Sequence, residues 1–256
     1  MLTGASGGLG LALTDALAAT GRHMLLAGRN AERLGQAERI ARAKGAIPEL
    51  LTIPLTEPEN FAAALAEYDR RHPIDLLLLN AGVKTGNRDG AEPLDQTGRV
   101  IGVNLVAAFH AVQAVLPGMR ARGQGQIALL SSIAALSPHA DLLSYTATKA
   151  ALRAYGVALR RNLRQTGVHV SVITPGFIDT PMTDRQIGPA PMMISSGRAA
   201  RLIGRGLSRG SANITFPLAL CLLIRLENLL PKAVGDRIDR HYRAEIRPDP
   251  DEQAQG

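Results

Sequence analysis

The sequence predicts an α/β fold, a single domain built on a doubly wound parallel sheet with helices on both faces. Three observations predict it. Short apolar runs alternate with stretches of helical periodicity, the pattern of parallel strands joined by crossover helices. A glycine-rich loop opens the chain and leads straight into a helical pattern. The polar residues suited to chemistry stand just after apolar runs, where the carboxyl ends of parallel strands leave a crevice for ligands. With 256 residues there is length for one large domain and its core, and no linker or internal repeat divides it. Residues 1–180 read as the cofactor-binding and catalytic core. Residues 181–256 read as substrate-side helices, a last strand and an apolar C-terminal extension.

The loop is Thr3-Gly-Ala-Ser-Gly-Gly-Leu-Gly10, followed by Leu11, Leu13 and Leu17 at helical spacing. Glycines before a helix let the backbone approach a diphosphate, whose charge meets the free N–H groups of the first turn. Thr3, Gly4, Ser6, Gly8, Leu9 and Gly10 are therefore cofactor-binding candidates. The next strand, His23 to Ala27, ends at Gly28, Arg29 and Asn30. A carboxylate there would bond the ribose 2′-hydroxyl of NAD, whereas a guanidinium pairs with a 2′-phosphate. Arg29 thus favours NADP(H) over NAD(H), and Asn30 beside it is a further cofactor-binding candidate.

The alternation continues with a helix over Ala31–Lys44, a strand over Ile47–Ile53, a helix over Pro58–Arg71 and a buried strand over Ile74–Leu79. That strand runs into Asn80-Ala81-Gly82, small residues that let the backbone pass close to a ribose. After a polar loop from Lys84 to Pro93, a long helix is expected from Asp95 to Met119. It carries Asn104 among apolar neighbours, a costly placement unless the amide is satisfied or used.

The strand Ile127–Leu130 ends at Ser131 and Ser132. Tyr145 and Lys149 then stand four apart at the start of a helical pattern, on one face and one turn from each other. A free tyrosine, with a pKa near ~10, is a poor acid or base at neutral pH. A neighbouring ammonium is expected to favour the phenolate and lower that value. A serine hydroxyl holding a carbonyl beside such a phenol suits ketone/alcohol interconversion, provided a cofactor carries the hydride. His139 and Asp141, in the loop before Tyr145, read as solvated loop residues, with lining of the pocket the alternative. The strand Val168–Ile173 leads to Thr174-Pro175-Gly176 and on to Ile178 and Thr180. Ala212–Phe216 reads as the last strand.

Composition narrows the alternatives. The formal net charge of +7 comes mainly from dispersed arginines, and aromatics make up 3%. No basic run interleaved with aromatics points to nucleic acid. The lone Cys221 excludes an intrachain disulfide and offers no cluster for a metal. A reduced cytoplasmic setting fits, and no signal peptide is visible at Met1-Leu2-Thr3-Gly4.

Together these motifs resemble the short-chain dehydrogenase/reductase family, with its Rossmann-type fold, over roughly Thr3 to Thr180. The resemblance rests on the glycine loop, Asn80-Ala81-Gly82, Asn104, Ser132, Tyr145-x-x-x-Lys149 and Pro175-Gly176, in order and spacing. It implies that Tyr145 is the acid/base and that Ser132, thirteen residues earlier, positions the carbonyl, with Ser131 the alternative. It implies that Lys149 holds the nicotinamide ribose and lowers the tyrosine pKa. Asn104 would keep a water in the relay, and Ile178 and Thr180 would lie near the nicotinamide carboxamide. The expected substrate is a small carbonyl or alcohol compound, and the expected assembly a homodimer or homotetramer.

Three departures from the family pattern bear on these expectations. Only Met1 and Leu2 precede Thr3 where a full central strand is usual, which suggests a late start site or a catalytically impaired nucleotide-binding or interaction protein that binds nucleotide weakly or not at all. Pro54 stands where an adenine-reading Asp is common, leaving the Leu55 backbone for that contact. Finally, Pro217 to Leu230 is unusually apolar. It reads as a cap on a hydrophobic or acyl-like substrate, an oligomer interface, or a peripheral membrane contact near Arg201, Arg205 and Arg209.

Overall fold

Runs such as Leu76-Leu-Leu-Leu79 show no alternation of apolar and polar residues, and a strand of that kind is stable only with both faces covered. The computed structural model, which describes residues 1–87, 90–231, 234 and 243–248, shows how they are covered. In chain order β1 (Leu2–Thr3), α1 (Gly8–Leu17), β2 (His23–Ala27), α2 (Ala31–Ala43), β3 (Ile47–Leu51), α3 (Pro58–Arg71) and β4 (Leu76–Leu79) form the first half. Then come α4 (Leu94–Ile101), a π-helical turn at Gly102–Val106, α5 (Ala107–Arg122), β5 (Gly125–Leu130), α6 (Leu143–Asn162) and β6 (Val168–Pro175). The remainder holds β7 (Ile178–Asp179), α7 (Pro181–Asp184), β8 (Gln186–Ile187), β9 (Ile194–Ser195), α8 (Ser196–Ser208), β10 (Asn213–Phe216), α9 (Leu218–Glu227) and β11 (Glu245–Ile246).

Among the described residues, seven strands form one parallel sheet in the order β10-β6-β5-β4-β1-β2-β3. One face is covered by α3, α5 and α6 through Phe61, Leu65, Val112, Val115, Leu152 and Leu159. The other is covered by α1, α2 and α8 through Leu9, Leu13, Leu34, Ala37, Ala199 and Ile203. The strand order reverses between β1 and β4, and a crevice opens there at the carboxyl ends.

Several expected bounds shift. β3 stops at Leu51 rather than Ile53, and β4 begins at Leu76 rather than Ile74. The first strand has two residues, in the central position: Leu2 pairs with Leu26 and Leu78, and Thr3 with Ala27. The Met1 amine donates to the Leu76 carbonyl at 2.9 Å. The long helix runs from Leu94 to Arg122, and the π-turn at its middle carries Asn104. A π-turn within an α-helix often marks a functional position.

Two features close the carboxyl side of the sheet. The helix α9 buries Leu220, Cys221 and Ile224 and leaves Leu218, Leu222 and Leu226 exposed. The strand β11 pairs antiparallel with β8, and beside it Arg243 is bonded through Nε to both carboxylate oxygens of Asp141 at 2.8 Å. Asp141 also accepts from the Ala244 amide at 2.8 Å. Contrary to the solvated reading of its loop, Asp141 is only 1% exposed. The parts of the expected 181–256 segment at 232–233, 235–242 and 249–256 lie outside the described residues.

Candidate active site

At the end of β5 the chain places two serines in different roles. Ser131 is buried and its Oγ donates to the Lys149 carbonyl at 2.8 Å, tying the strand end to α6. Ser132 lines the cleft together with Tyr145, near enough for its hydroxyl to favour the phenolate, and its Oγ accepts from the Ala134 amide at 3.2 Å. The alternative between them is therefore resolved by geometry: Ser131 is spent on the fold, and Ser132 borders the open space.

Tyr145 and Lys149 occupy the first two turns of α6, both buried. The Lys149 ammonium donates to the Leu130 carbonyl at 2.9 Å and lies 5.7 Å from the centre of the Tyr145 ring. Burial lowers its pKa to about 8. The expected lowering of the tyrosine is not found. Burial pushes the Tyr145 phenol above its ordinary value, and the Ser132 hydroxyl offsets only part of this. In a dry site the cost of desolvating a phenolate outweighs the help of an ammonium that is itself desolvated. Tyr145 is thus a protonated hydroxyl at neutral pH, the form of a proton donor.

Asn104 lies beneath this group, 1% exposed. Its amide donates to the Val83 carbonyl at 2.9 Å and to Thr148 Oγ1 at 3.2 Å, while its oxygen accepts from the Val83 amide at 2.7 Å. It clamps the Asn80–Gly82 turn to α6. Gly82 completes the fit, since a Cβ there would stand 3.1 Å from Asn104 Oδ1 and 3.3 Å from Lys149 Nζ.

From this point a cleft of about 1200 Å³ runs along the strand ends to the glycine loop. Gly4, Ser6, Gly8, Leu9 and Gly10 line its far end with Arg29 and Asn30. Leu55, Asn80, Ala81 and Gly82 line its middle, and Pro175, Gly176, Ile178 and Thr180 its opposite wall. Thr3 does not reach it. Buried behind the loop, Thr3 Oγ1 accepts from the amides of Asn80 and Ala81 at 3.0 Å, and so supports the wall from behind.

The glycine end fits a dinucleotide diphosphate. The cap residue of α1 is Gly7, no side chain caps the helix, and no acid stands in its first turn, so the first amides are left for an anion. A Cβ at Gly10 would lie 2.0 Å from the Gly4 carbonyl, and one at Gly8 2.8 Å from Pro181. Only glycine permits this close approach of loop, helix and facing wall. Sequence reasoning missed Arg33, which stands one turn beyond Arg29 and lines the same end; the signal available was its i+4 spacing. It also missed Lys84 and Gln186 at the tyrosine end, which come together only through the fold. Among the described residues no group of His, Cys, Asp and Glu is suited to a metal ion.

A parallel sheet opened by a glycine loop and closed over a buried tyrosine and lysine is the build of a dinucleotide-dependent oxidoreductase. More narrowly, the chain matches the short chain dehydrogenase family over residues 1–188 and belongs to it. It is 32% identical over 244 residues to an oxidoreductase of Myxococcus xanthus, covering 95% of this chain and 96% of that one. It is 27% identical to a 3-dehydrosphinganine reductase of Arabidopsis thaliana, over 84% of this chain and 68% of the plant protein. Among solved structures it resembles a metagenomic short-chain oxidoreductase in complex with NADP, with a TM-score of 0.70, 29% identity, and 82% and 88% of the two chains covered. A short-chain dehydrogenase from Sphingobium yanoikuyae in complex with NADPH shares the fold, with a TM-score of 0.77 at 24% identity over 93% and 91% of the chains.

Proposed function

We propose that this chain is an NADPH-linked reductase that converts a ketone or aldehyde, hydrophobic or acyl-like, to the alcohol. The observation that carries the reading is one continuous cleft with two arginines at one end and the Ser132–Tyr145 hydroxyl pair at the other. Arg29 and Arg33 would hold a 2′-phosphate, and the end of β2 offers Gly28, Arg29 and Asn30 with no acid among these three. The α1 amides would hold the diphosphate, and Lys149 the nicotinamide ribose. The bound cofactor would supply a hydride. Ser132 orients the carbonyl oxygen toward the phenol, and Tyr145 delivers its proton to that oxygen as negative charge develops there. The apolar wall from α9 excludes water and suits a hydrocarbon substituent. The NADP-bound relative at 29% identity supports the same cofactor class.

The test is a fluorescence titration with NADPH and NADH, repeated on Arg29→Asp. Tight NADPH binding that Arg29→Asp weakens by roughly tenfold or more, with NADH binding unchanged or improved, is the expected result for loss of a charged hydrogen bond. Equal affinity for both nucleotides in the parent protein would overturn the cofactor choice. Binding without oxidation of NADPH by any carbonyl compound would leave a nucleotide-binding protein without turnover.

A further inference from the structure

A second lysine stands beside the phenol, and the reduction as described does not use it. Lys84 follows the Asn80–Gly82 turn and brings its ammonium to 5.8 Å from the centre of the Tyr145 ring and 5.9 Å from that of Phe177. It is 8% exposed and lines the same cleft. Gln186 Oε1 accepts one hydrogen bond from it, and an ammonium has three to give. Among the described residues no carboxylate pairs with it, and the neighbouring Arg185 adds like charge. Burial lowers its pKa to about 8, so it carries its charge at neutral pH. A buried cation without a counter-ion is costly to the fold.

The setting of this lysine is built from distant parts of the chain. Gln186 opens β8, where Ile246 of β11 is its partner, and its amide donates to the Pro189 carbonyl at 3.0 Å. The clamp of Arg243 on Asp141 holds the segment that carries β11. The acceptor of Lys84 is thereby fixed, and the ammonium stays at the substrate end of the cleft rather than swinging to solvent. From there a carbonyl oxygen at the Tyr145 hydroxyl and an anionic oxygen at Lys84 fall within the reach of one small molecule.

We propose that Lys84, with Gln186, receives a carboxylate carried by the substrate a few bonds from its carbonyl, so that the site selects oxo acids over neutral ketones. The hydrocarbon remainder of such an acid lies against Leu220, Leu223 and Ile224 of α9. This assignment rests on the carbonyl-reductase reading of the same cleft. It adds the charge of the substrate, which that reading leaves open.

The experiment measures binding rather than turnover. A medium-chain 3-oxo acid and its methyl ester are titrated calorimetrically into the protein alone and into the protein with NADP⁺, where no hydride is available. The parent protein is expected to bind the acid at least about tenfold more tightly than the ester, the ordinary scale of a hydrogen bond to a charged group. Lys84→Met removes that difference and leaves ester affinity unchanged, while Lys84→Arg keeps it; circular dichroism establishes that each variant folds. Equal affinity for acid and ester in the parent, lack of binding by both included, overturns the assignment, as does a preference that survives in Lys84→Met. Failure of the reductase reading shows separately, as absent NADPH oxidation, and does not alter the cofactor-free titration.

Discussion

The surroundings of Tyr145 hold an instructive pair. Two lysines border it: Lys149 lies 5.7 Å from the ring centre, and Lys84 lies at 5.8 Å. Both are buried, and in both burial lowers the pKa to about 8. Their supports differ. Lys149 stands one turn along the same helix as the tyrosine and donates to the backbone of β5. Lys84 stands on a loop and donates to a side chain held in place by a two-stranded pairing with the C-terminal segment. The helix side is rigid and local, so it suits a function common to every turnover, such as holding ribose and phenol in register. The loop side is assembled from three separate stretches of chain and can vary without disturbing the sheet, as suits substrate choice.

The sharpest way to break this comparison is to remove the hydroxyl of the ring that both lysines border. Tyr145→Phe keeps the ring and its packing and deletes the proton donor. Its kcat is expected to fall by about 10²- to 10⁴-fold, the range for loss of a general acid, while NADPH affinity in the fluorescence titration stays within about twofold of the parent. Retained turnover would show that the proton comes from elsewhere, and both lysines would lose their assigned centre.

A smaller effect sharpens the helix side. Asn104→Leu leaves the Val83 amide and carbonyl without their partners inside the core. Each such orphan costs about 1–3 kcal/mol, so urea unfolding should show a loss of about 2–6 kcal/mol, and the Asn80–Gly82 wall should loosen with it. A loss below about 1 kcal/mol would mean that the clamp is not what aligns that wall with α6.

How much of this was legible in the sequence follows the same division. The sheet, the cleft and the set Ser132, Tyr145 and Lys149 depend on local spacing: glycines before a helix, an apolar run ending in serines, two residues four apart. Such signals survive in a single chain. The choice of Ser132 over Ser131 rested on spacing from Tyr145, and the structure gives its physical reason in the bond from Ser131 to the Lys149 carbonyl. What misled was the environment. The effect of a cation on Tyr145 was inferred from proximity, but its sign is set by burial, which no spacing reveals. Thr3 belonged to the right motif but faces the back of the wall. Asp141 read as a solvated loop residue because its partner Arg243 lies 102 residues away. Lys84 was hidden for the same reason, since Gln186 is equally remote in sequence.

The smallest effect separates a lysine kept for the fold from one kept for function. A lysine whose folded pKa lies near 8 against an ordinary 10.5 is less protonated in the native state than in the unfolded chain between those values. Stability therefore rises with pH through the window from about 8 to 10, and the contribution is lost as pH falls through 8. Above that window Tyr145, pushed upward by burial, releases its proton more readily when unfolded and opposes the trend. Lys84→Met deletes one of the two lysine contributions, so its urea midpoint should rise less steeply from pH 8 to 10 than the parent's. At pH 7 the variant should be equal to the parent or up to about 2 kcal/mol more stable, because an uncompensated buried charge has been replaced by an apolar side chain of similar length. A structural lysine behaves in the opposite way, its removal destabilising the protein at every pH. If Lys84→Met lowers stability at pH 7, the bond to Gln186 exists to hold the loop, and Lys84 is scaffolding rather than a substrate contact.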